Sequence, residues 1–294
     1  MATMNKLKEE DFEVLNNCPW HLDEQYNDFE FLYKDKMNCD IVKCKKCGIV
    51  FAHKRLNESG LKKYWDDYLS RVHVHDDELV KKRNEMYQID FKFIQQYKMN
   101  GNVLDIGCGN GSFLDVFKKH GYRCFGVEFG REAAKVAKHS HDIYYGEFPK
   151  LNFNEKYDLI IFRGVLQYFP EPINYLDKAI SLLNNNGCIF ITAQPNMDSF
   201  CFKLFKENFN LPVTSADFFG YTENVFTNYF TSKGLLKVGE KYFYEKTPYA
   251  NMESDILEVA KAIQLKRKNM KIDFKAPAFW GNMMSLIYKF NKNK

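Results

Sequence analysis

The sequence predicts an α/β protein in which a doubly wound, mainly parallel sheet follows a small cysteine-bearing module. From residue 101 onward, short apolar runs alternate with amphipathic segments, as in strands joined by crossover helices. Before residue 60, cysteines lie among three strand-like runs, FEFLYK, CDIVKC and GIVFAH. We therefore expect a module at 1–60, a helical connector at 61–100 and a sheet domain at 101–294.

The composition supports this expectation of a folded globular protein. The chain has 294 residues, 45% of them hydrophobic, which excludes wholesale disorder, collagen-like repeats and coiled coil. Lys+Arg number 42 and Asp+Glu 38, and the resulting charge of +4 is too small to indicate nucleic-acid binding by itself. The N-terminus lacks an apolar core, and no apolar run approaches the ~20 residues of a membrane span. We expect a cytoplasmic protein with no transmembrane segment, whose eight cysteines are not in disulfides.

The elements of the sheet domain are bounded by glycine, asparagine or charged residues. The predicted strands are NVLDIG, CFGVEF, DIYYGE, YDLIIF and CIFITA, and the predicted helices are Ser112–His120, Arg131–His139 and Pro172–Asn184. Upstream, residues 61–98 carry apolar side chains spaced for one helical face. Ligands of such sheets bind at the carboxyl ends of the strands, so we look for the site there.

A glycine-rich turn follows the first of these strands. The segment reads LDIGCGNGSF, with Gly107, Gly109 and Gly111 at alternate positions after Asp105. Such glycines let the backbone turn tightly and let a ligand lie against the main chain. A dinucleotide-binding turn would have glycine in place of Ser112 and would bind a pyrophosphate. A carboxylate at Asp105 repels phosphate but suits a ligand that carries an ammonium group.

Further carboxylates stand at the ends of the next two strands. Glu128 ends the second strand, where it is placed to accept hydrogen bonds from both hydroxyls of a ribose. Glu147 and Phe148 follow the third strand, where a carboxylate and an aromatic ring could hold the edge and the face of an adenine. A turn that serves only packing, with carboxylates at the strand ends by chance, explains the combination of glycines, Glu128 and Glu147 poorly.

From about residue 77 to its end, the chain resembles class I S-adenosylmethionine-dependent methyltransferases. The matching motifs are LDIGCGNGSF, FGVEFGREAAKVAKH, YYGEF, YDLIIFRGVLQYFPEP and LLNNNGCIFITAQPN. The resemblance implies a Rossmann-like sheet of seven strands whose last strand, at Met283–Phe290, runs antiparallel. It also implies that residues 61–100 cover the cofactor, S-adenosylmethionine. The residues that would bind this cofactor are Asp105, Gly107, Gly109, Gly111, Glu128, Phe129, Glu147, Phe148, Arg163 and Tyr68.

Four residues of the N-terminal module have the spacing of zinc ligands. Cys44 and Cys47 form a C-K-K-C-G knuckle, and Cys18 and His21 form C-P-W-H with the same two-residue gap. Together they supply three sulfurs and one nitrogen, a closed tetrahedral set typical of structural Zn²⁺. Two alternatives stay open: the first pair is unrelated to the knuckle, or Cys39 replaces one ligand.

The N-terminal module narrows the resemblance to a smaller group of methyltransferases. A zinc-ribbon-like segment, then a tyrosine-bearing helix with Tyr64 and Tyr68, then the methyltransferase core resembles enzymes of sugar and polysaccharide biosynthesis over residues 18–290. This resemblance implies a small hydroxylated acceptor, a sugar or nucleotide-sugar, methylated on oxygen or else on carbon or nitrogen. Relatives usually carry C-x-x-C in the first knuckle, where this chain has C-x-x-H.

A hydroxyl nucleophile needs a proton acceptor within hydrogen-bond reach, and the sequence offers several candidates for this role. Relatives place a Glu-His pair after the fourth strand, where this chain reads VLQYF, and a Pro-x-His after the fifth, where it reads VTSAD. No histidine follows His141. His75, beside His73, is either an available imidazole or part of a solvated loop. The candidates are Tyr168 and Asp217 at the family positions, Gln167 as an orienting residue, His75, and Asp198 after the fifth strand.

The segment from about 197 to 232 is rich in Phe and Tyr and interrupts the sheet, so we predict a substrate lid there. Two other functions remain open. An RNA base methyltransferase would also combine a zinc module with this fold, although the slight charge and the absence of an Asn/Asp-Pro-Pro-Tyr-type motif count against it. A cofactor-binding scaffold without catalysis would explain the missing histidines. We expect a small-molecule substrate and no nucleic-acid partner, and the sequence leaves the oligomeric state open.

Overall fold

The computed structural model describes residues 7–21, 24–64 and 77–291. Its chain forms two compact units that do not follow the predicted boundaries at residues 60 and 100, because two later segments join the N-terminal module. Unit 1 consists of Met1–Glu78, Asn196–Val225 and Asn251–Asn282. Unit 2 consists of Leu79–Pro195, Phe226–Ala250 and Met283–Lys294. His75, His73 and Tyr68 lie outside the described residues.

The strands and helices are numbered in chain order. The strands are β1 (Phe12–Val14), β2 (Phe29–Lys34), β3 (Asp40–Cys44), β4 (Val50–Ala52), β5 (Lys54–Leu56), β6 (Asn102–Ile106), β7 (Arg123–Glu128), β8 (Asp142–Tyr145), β9 (Tyr157–Arg163), β10 (Leu183–Pro195), β11 (Phe219–Gly220), β12 (Leu235–Lys241) and β13 (Met283–Phe290). The helices are α1 (described over 58–64), α2 (Asp77–Ile94), α3 (Ser112–Lys118), α4 (Arg131–Ala137), α5 (Pro172–Leu182), α6 (Phe200–Phe205), α7 (Glu223–Ser232) and α8 (Met252–Arg267). No described helix combines the length and the apolar character needed to cross a bilayer.

Unit 2 is built on a seven-stranded sheet in the order β12-β13-β10-β9-β6-β7-β8. Strands β10, β9, β6, β7 and β8 pair in parallel, whereas β13 is antiparallel to both β10 and β12. The chain runs outward from β6 to β8 on one side and returns through β9 to β10 on the other. This topology confirms the predicted doubly wound fold, including the antiparallel last strand at Met283–Phe290.

The predicted boundaries in unit 2 are close to those observed. Helices α3, α4 and α5 begin where the sequence predicts, but each ends two residues earlier. The last predicted residues form a turn after α3 and α4, whereas after α5 they already belong to β10. Strand β10 begins at Leu183 rather than at Cys188, and its pairing with β9 is irregular between these two residues. Strand β12 was not predicted, since most of its side chains are exposed or half-buried and its sequence lacks a regular apolar alternation.

One apolar layer fixes α2 and α3 on the sheet. Phe91 and Ile94 of α2 and Phe113 and Phe117 of α3 pack in a cluster that includes buried residues of β6, β9, β10 and β13. Phe91 meets Phe117 edge-on with ring centroids 5.1 Å apart. The helical pattern predicted within residues 61–98 is therefore confirmed for α2, whose buried side chains pack on α3 and the sheet.

Unit 1 contains a four-stranded sheet in the order β11-β4-β3-β2 and a two-stranded ribbon of β1 and β5. The three predicted strand runs of the module are confirmed as β2, β3 and β4. Strand β11 comes from the segment that we predict as a substrate lid, and its Phe219 pairs with Phe51 of β4. Part of the predicted lid is thus an edge strand of the N-terminal sheet.

Candidate functional site

The glycine turn at the carboxyl end of β6 is closed on two sides and open in the middle. All three glycines are left-handed, with φ of +78° at Gly107, +57° at Gly109 and +85° at Gly111. A Cβ on Gly107 would lie 2.8 Å from Val165 Cγ1, and a Cβ on Gly111 would lie 2.8 Å from His141 Cδ2. Among the described residues, no atom lies within 4 Å of the position that a Cβ on Gly109 would occupy. In that part of the chain, the backbone at Gly109 therefore borders free space that a ligand can fill.

Glu128, at the end of the neighbouring strand β7, is fixed beside this turn. Its Oε2 accepts a hydrogen bond of 2.7 Å from the Gly109 N–H, and its Oε1 accepts one of 2.6 Å from the Gly130 N–H. Each carboxylate oxygen can accept two hydrogen bonds, so each retains capacity for a ligand hydroxyl. The next residue, Phe129, leaves 68% of its surface exposed. An oriented carboxylate and an open aromatic ring thus lie beside the glycine turn.

Asp105 supplies a buried carboxylate under the turn. Its side chain is 2% exposed, and its Oδ1 has no hydrogen-bond partner among the described residues. Burial raises the pKa of Asp105 to about 7, while the charge of Arg163 opposes this shift and that of Glu128 adds to it. An oxygen with spare hydrogen-bonding capacity at this position fits a ligand that carries an ammonium group, as the sequence predicts.

The two residues predicted beside an adenine are placed differently from one another. Glu147 is half-exposed and forms an ion pair of 2.6 Å with Lys150. Phe148 is only 1% exposed, and its ring packs against Phe153 and Tyr175 at centroid distances of 5.4 and 6.0 Å. Its ring thus faces the core and not open space, because a position at a strand end does not fix the direction of a side chain.

Arg163, at the end of β9, belongs to a buried polar network that the sequence did not reveal. Its Nε donates a hydrogen bond of 3.0 Å to Asp90 Oδ2 in α2. The Thr192 hydroxyl donates one of 2.8 Å to Asp90 Oδ1 and lies 2.7 Å from the Ser285 hydroxyl. The carboxyl of Asp90 is fully buried, and burial raises its pKa while Arg163 opposes that shift. The network ties α2 to three strands of the sheet.

Aromatic contacts complete the fixation of Arg163. Its guanidinium lies 4.5 Å from the ring centroid of Tyr87 and 5.5 Å from that of Phe113. These two rings stack with centroids 5.0 Å apart. The arginine predicted beside the cofactor is therefore held in place by α2 and by α3, which begins directly after the glycine turn.

The loop after β9 holds Gln167 and Tyr168. The Gln167 Nε2 donates a hydrogen bond of 2.9 Å to the Gly164 carbonyl, and its Oε1 is buried with no partner among the described residues. Gln194, near the end of β10, was not singled out by the sequence, yet it is 1% exposed with both amide atoms unpartnered within the described chain. Buried amides are common in cores, so no sequence signal distinguished it.

The other two catalytic candidates, Asp217 and Asp198, lie in unit 1. The Thr214 hydroxyl donates a hydrogen bond of 3.1 Å to Asp217 Oδ2, and burial raises the pKa of Asp217 to about 6. Asp198 is more than half exposed and pairs with Lys203 at 2.6 Å, as expected of a surface carboxylate.

The segment around Asp217 is bound to the N-terminal module. Asp35 Oδ2 accepts hydrogen bonds of 2.7 Å from both the backbone N–H and the hydroxyl of Ser215. The Tyr33 hydroxyl donates one of 3.1 Å to the Val213 carbonyl. These contacts, with the pairing of β11 and β4, make the middle of the predicted lid an integral part of unit 1.

The four predicted metal ligands converge at one point of unit 1. One ligand atom of each of Cys18, His21, Cys44 and Cys47 lies within 4.8 Å of those of the others. The Cys18 and Cys47 sulfurs are 3.8 Å apart, which is about the separation of two thiolates bound tetrahedrally to zinc at ~2.3 Å each. Cys39 is buried outside this cluster, with its sulfur 3.7 Å from the Met37 carbonyl. The observed geometry favours the predicted set over a set with Cys39.

The chemistry of these donors also fits a cation. The Nε2 of His21 is buried and has no hydrogen-bond partner in the described part of the chain. The hydrogen bond between Cys18 and Cys47 raises the pKa of Cys18 far above the usual range of a thiol and lowers the pKa of Cys47 to about 6. The two close sulfurs thus do not ionise together, and a divalent cation would remove this conflict by binding both as thiolates.

Comparisons with known proteins agree with this geometry. The chain matches a family model described as a methyltransferase domain over residues 77–238, more than half of its length. It is similar to the ubiquinone biosynthesis O-methyltransferase of Coxiella burnetii, with 27% identity over 120 residues that cover 36% of this chain and 49% of that protein. It is also similar to an uncharacterised protein of Methanocaldococcus jannaschii, with 25% identity over 154 residues that cover 49% of this chain and 40% of that one. The chain spans about half the length, or less, of these curated relatives.

A solved structure extends the likeness of fold. An S-adenosylmethionine-dependent methyltransferase of Thermotoga maritima has a TM-score of 0.53 and 14% identity, and the match covers 77% of this chain and 99% of that one. This likeness concerns the fold alone, and it agrees with the strand order of unit 2. The sheet topology, the open glycine turn and the match over residues 77–238 lead to one conclusion: this chain belongs to the methyltransferase domain family.

Proposed function

We propose that this protein transfers a methyl group from S-adenosylmethionine to a hydroxyl group of a small molecule, with a sugar or nucleotide-sugar favoured. The observation that carries the proposal is the open backbone at Gly109, with Glu128 hydrogen-bonded to its N–H at the ends of two adjacent parallel strands. Membership in the methyltransferase domain family supports the reaction type. The resemblance to enzymes of carbohydrate biosynthesis supports the acceptor class.

The residues around the glycine turn fit the cofactor. Asp105 would hold the ammonium group of its methionine part, and Glu128 would accept the ribose hydroxyls. The exposed ring of Phe129 suits the adenine face better than the buried ring of Phe148, and Glu147 remains a candidate for the adenine edge. Bound there, the cofactor would supply a methyl group on a positively charged sulfur.

The protein has two tasks at the acceptor. It must hold the acceptor oxygen in line with the methyl group and the sulfur, since positioning provides much of the rate of such displacements. It must also accept the hydroxyl proton. Gln167 is the candidate for positioning, and Tyr168 is, beside Asp217, a candidate for accepting the proton. Asp217 is the candidate base, because a carboxylate with a pKa of about 6 is ionised at neutral pH yet more basic than an ordinary aspartate.

We also propose that Cys18, His21, Cys44 and Cys47 bind a structural Zn²⁺. Three sulfurs and one nitrogen close a tetrahedral site, so no coordination position remains for a substrate. The cation would crosslink the strand end at Cys44 to the N-terminal segment at Cys18. Its role would be to stabilise unit 1.

A transfer assay with S-adenosylmethionine labelled in its methyl group tests the proposed function. The acceptor panel contains free sugars, nucleotide-sugars and total RNA, and Glu128→Ala serves as the variant expected to lose cofactor binding. We expect label in a hydroxylated small molecule with the wild type and none with the variant. Label in RNA alone would favour the base-methyltransferase alternative. Binding of S-adenosylhomocysteine without transfer to any acceptor would favour the scaffold alternative.

A further inference from the structure

Gln194 is a buried amide that lacks partners within the described chain. It is 1% exposed, and neither its Oε1 nor its Nε2 has a hydrogen-bond partner among the described residues. Leaving buried polar groups unpaired is costly, and more than nine in ten such groups in proteins are paired. A partner from outside the chain is therefore expected at this side chain.

The backbone before Gln194 is specialised. Ala193 has a left-handed φ of +50°, which is uncommon for a residue with a Cβ, and the pairing of β10 with β13 shifts register between Ile191 and Gln194. Bulges of this kind re-aim side chains and are over-represented next to active sites. Strain at Ala193 is thus accompanied by a change in the direction of the next side chain.

The register shows which way Gln194 turns. Thr192 of β10 contacts Ser285 of β13 through their hydroxyls, 2.7 Å apart, on the face covered by α2. Gln194 pairs with Met284, and Met284 and Ser285 are consecutive residues on opposite faces of the sheet. Gln194 therefore points to the face opposite to Thr192, although in a regular strand residues 192 and 194 would share one face.

A second buried amide lies close to the same backbone. Gln167 donates a hydrogen bond to the Gly164 carbonyl and leaves its Oε1 unpartnered among the described residues. The Ala193 carbonyl oxygen lies 3.3 Å from the position that a Cβ on Gly164 would occupy. Gln167 is thus bonded to Gly164, and Gln194 directly follows Ala193, which packs on Gly164, so both amides belong to segments at the carboxyl ends of β9 and β10.

The topology assigns these two amides to one side of the crevice. The chain adds β7 and β8 on one side of β6 and β9 and β10 on the other, so the strand order reverses between β6 and β9, and ligands of doubly wound sheets bind at such a switch point. The glycine turn and Glu128 follow β6 and β7, on the side proposed for the cofactor. Gln167 and Gln194 lie on the other side, which leaves them for the second substrate.

We propose that Gln194, together with Gln167, binds a hydroxyl group of the methyl acceptor. This inference rests on the proposed function. A hydroxyl both donates and accepts, so it can pair with an amide oxygen and an amide N–H at once. A phosphate or carboxylate would set negative charge against the Gln167 oxygen. An ammonium group would leave the Gln194 N–H groups unpaired.

The test replaces Gln194 with methionine, which has nearly the same shape but forms no comparable hydrogen bond. Gln88→Met, on the exposed side of α2, is the matched control. We expect Gln194→Met to raise the KM of the acceptor at least tenfold, with the Kd of S-adenosylhomocysteine within twofold of wild type. An unchanged KM for the acceptor in an active Gln194→Met variant would overturn this inference and leave the proposed function standing. A tenfold loss of S-adenosylhomocysteine binding would overturn it by placing Gln194 at the cofactor.

A second test, the thermal unfolding midpoint of the protein without ligand, can be measured without knowing the methyl acceptor. If the amide is unpaired in the free protein, Gln194→Met should keep or raise the midpoint, and Gln194→Leu, which has a different shape, should do so as well. A fall of more than about 5 °C in both variants, with Gln88→Met unchanged, would show that the amide is paired within the fold and would overturn the inference. A wild type that transfers methyl to no acceptor counts against the proposed function, whereas this stability comparison still decides on Gln194.

Discussion

The two compact units of this protein are assembled in different ways. Unit 2 holds five parallel strands and their helices in nearly continuous sequence from 79 to 195, and its candidate site follows the ends of successive strands. Unit 1 combines the N-terminal module with two segments that are more than a hundred residues away in the chain. Short-range patterns are therefore informative in unit 2, whereas unit 1 depends on long-range contacts and, we propose, on a metal ion.

The largest expected effect is the loss of the metal from unit 1. Cys47→Ser removes one of the four ligands and should reduce bound zinc from about one equivalent to near zero. The consequence for unit 1 should be large, because structural Zn²⁺ contributes on the order of 10 kcal/mol of apparent binding energy in small modules. Hydrogen exchange should accelerate in β3 and β4, while β6 and β9 in unit 2 stay protected. Metal analysis and hydrogen-exchange mass spectrometry provide the two measurements.

Cys39→Ala is the control for this change, because Cys39 is also buried in unit 1 but lies outside the cluster. It should keep its zinc. Wild-type protein purified without chelator that contains no zinc would refute the metal site, and equal acceleration in both units would refute their different dependence on it.

The next effect concerns the buried network of unit 2. Asp90→Asn removes the charge that pairs with Arg163, and breaking such a buried pair typically costs about 3–5 kcal/mol of unfolding free energy. Glu155→Gln, which removes the partner of the exposed Arg123, should cost less than about 1 kcal/mol. Urea unfolding measures both. Equal costs would mean that the Asp90 network does not fix α2.

A smaller effect separates cofactor binding from backbone strain. Gly109 and Gly121 both have positive φ, and at either position an added Cβ meets no atom of the described residues within 4 Å. Alanine at each should therefore cost a similar amount of stability, about 1 kcal/mol. Only Gly109→Ala should weaken S-adenosylhomocysteine binding, by about tenfold or more, in calorimetric titrations. If both variants bind like the wild type, the free space at Gly109 does not hold the cofactor.

The smallest effect is a pH dependence attributed to Asp217 in unit 1. A general base acts in its deprotonated form, and burial raises the pKa of Asp217 to about 6. The kcat/KM for the acceptor should be constant above pH 7 and fall about tenfold per pH unit well below pH 6. Asp217→Asn should lower the plateau and abolish this limb. A limb that persists in the variant would assign it to another group.

The secondary structure of unit 2 could be predicted from its sequence, because strands and helices have characteristic periods of apolar residues and turns have preferred residues. The left-handed turn at Gly107, Gly109 and Gly111 needs glycine, so its position was predictable, and so was Glu128 at the next strand end. The direction in which a side chain points could not be predicted in this way. Phe148 is buried and Phe129 is exposed, although each lies within three residues of the end of a strand. Asp90 is a polar residue on the buried side of α2, and its role depends on its contact with Arg163, which is distant in the sequence.

The sequence by itself determined the doubly wound sheet, the place of the glycine turn and the four candidate zinc ligands, because periodicity and spacing are local properties. Only the tertiary structure decided that residues 196–225 and 251–282 join the N-terminal module, that Asp90 neutralises Arg163, and that a bulge redirects Gln194. These features arise from contacts between residues far apart in the chain. Their free energy depends on burial and on partners that no local pattern specifies.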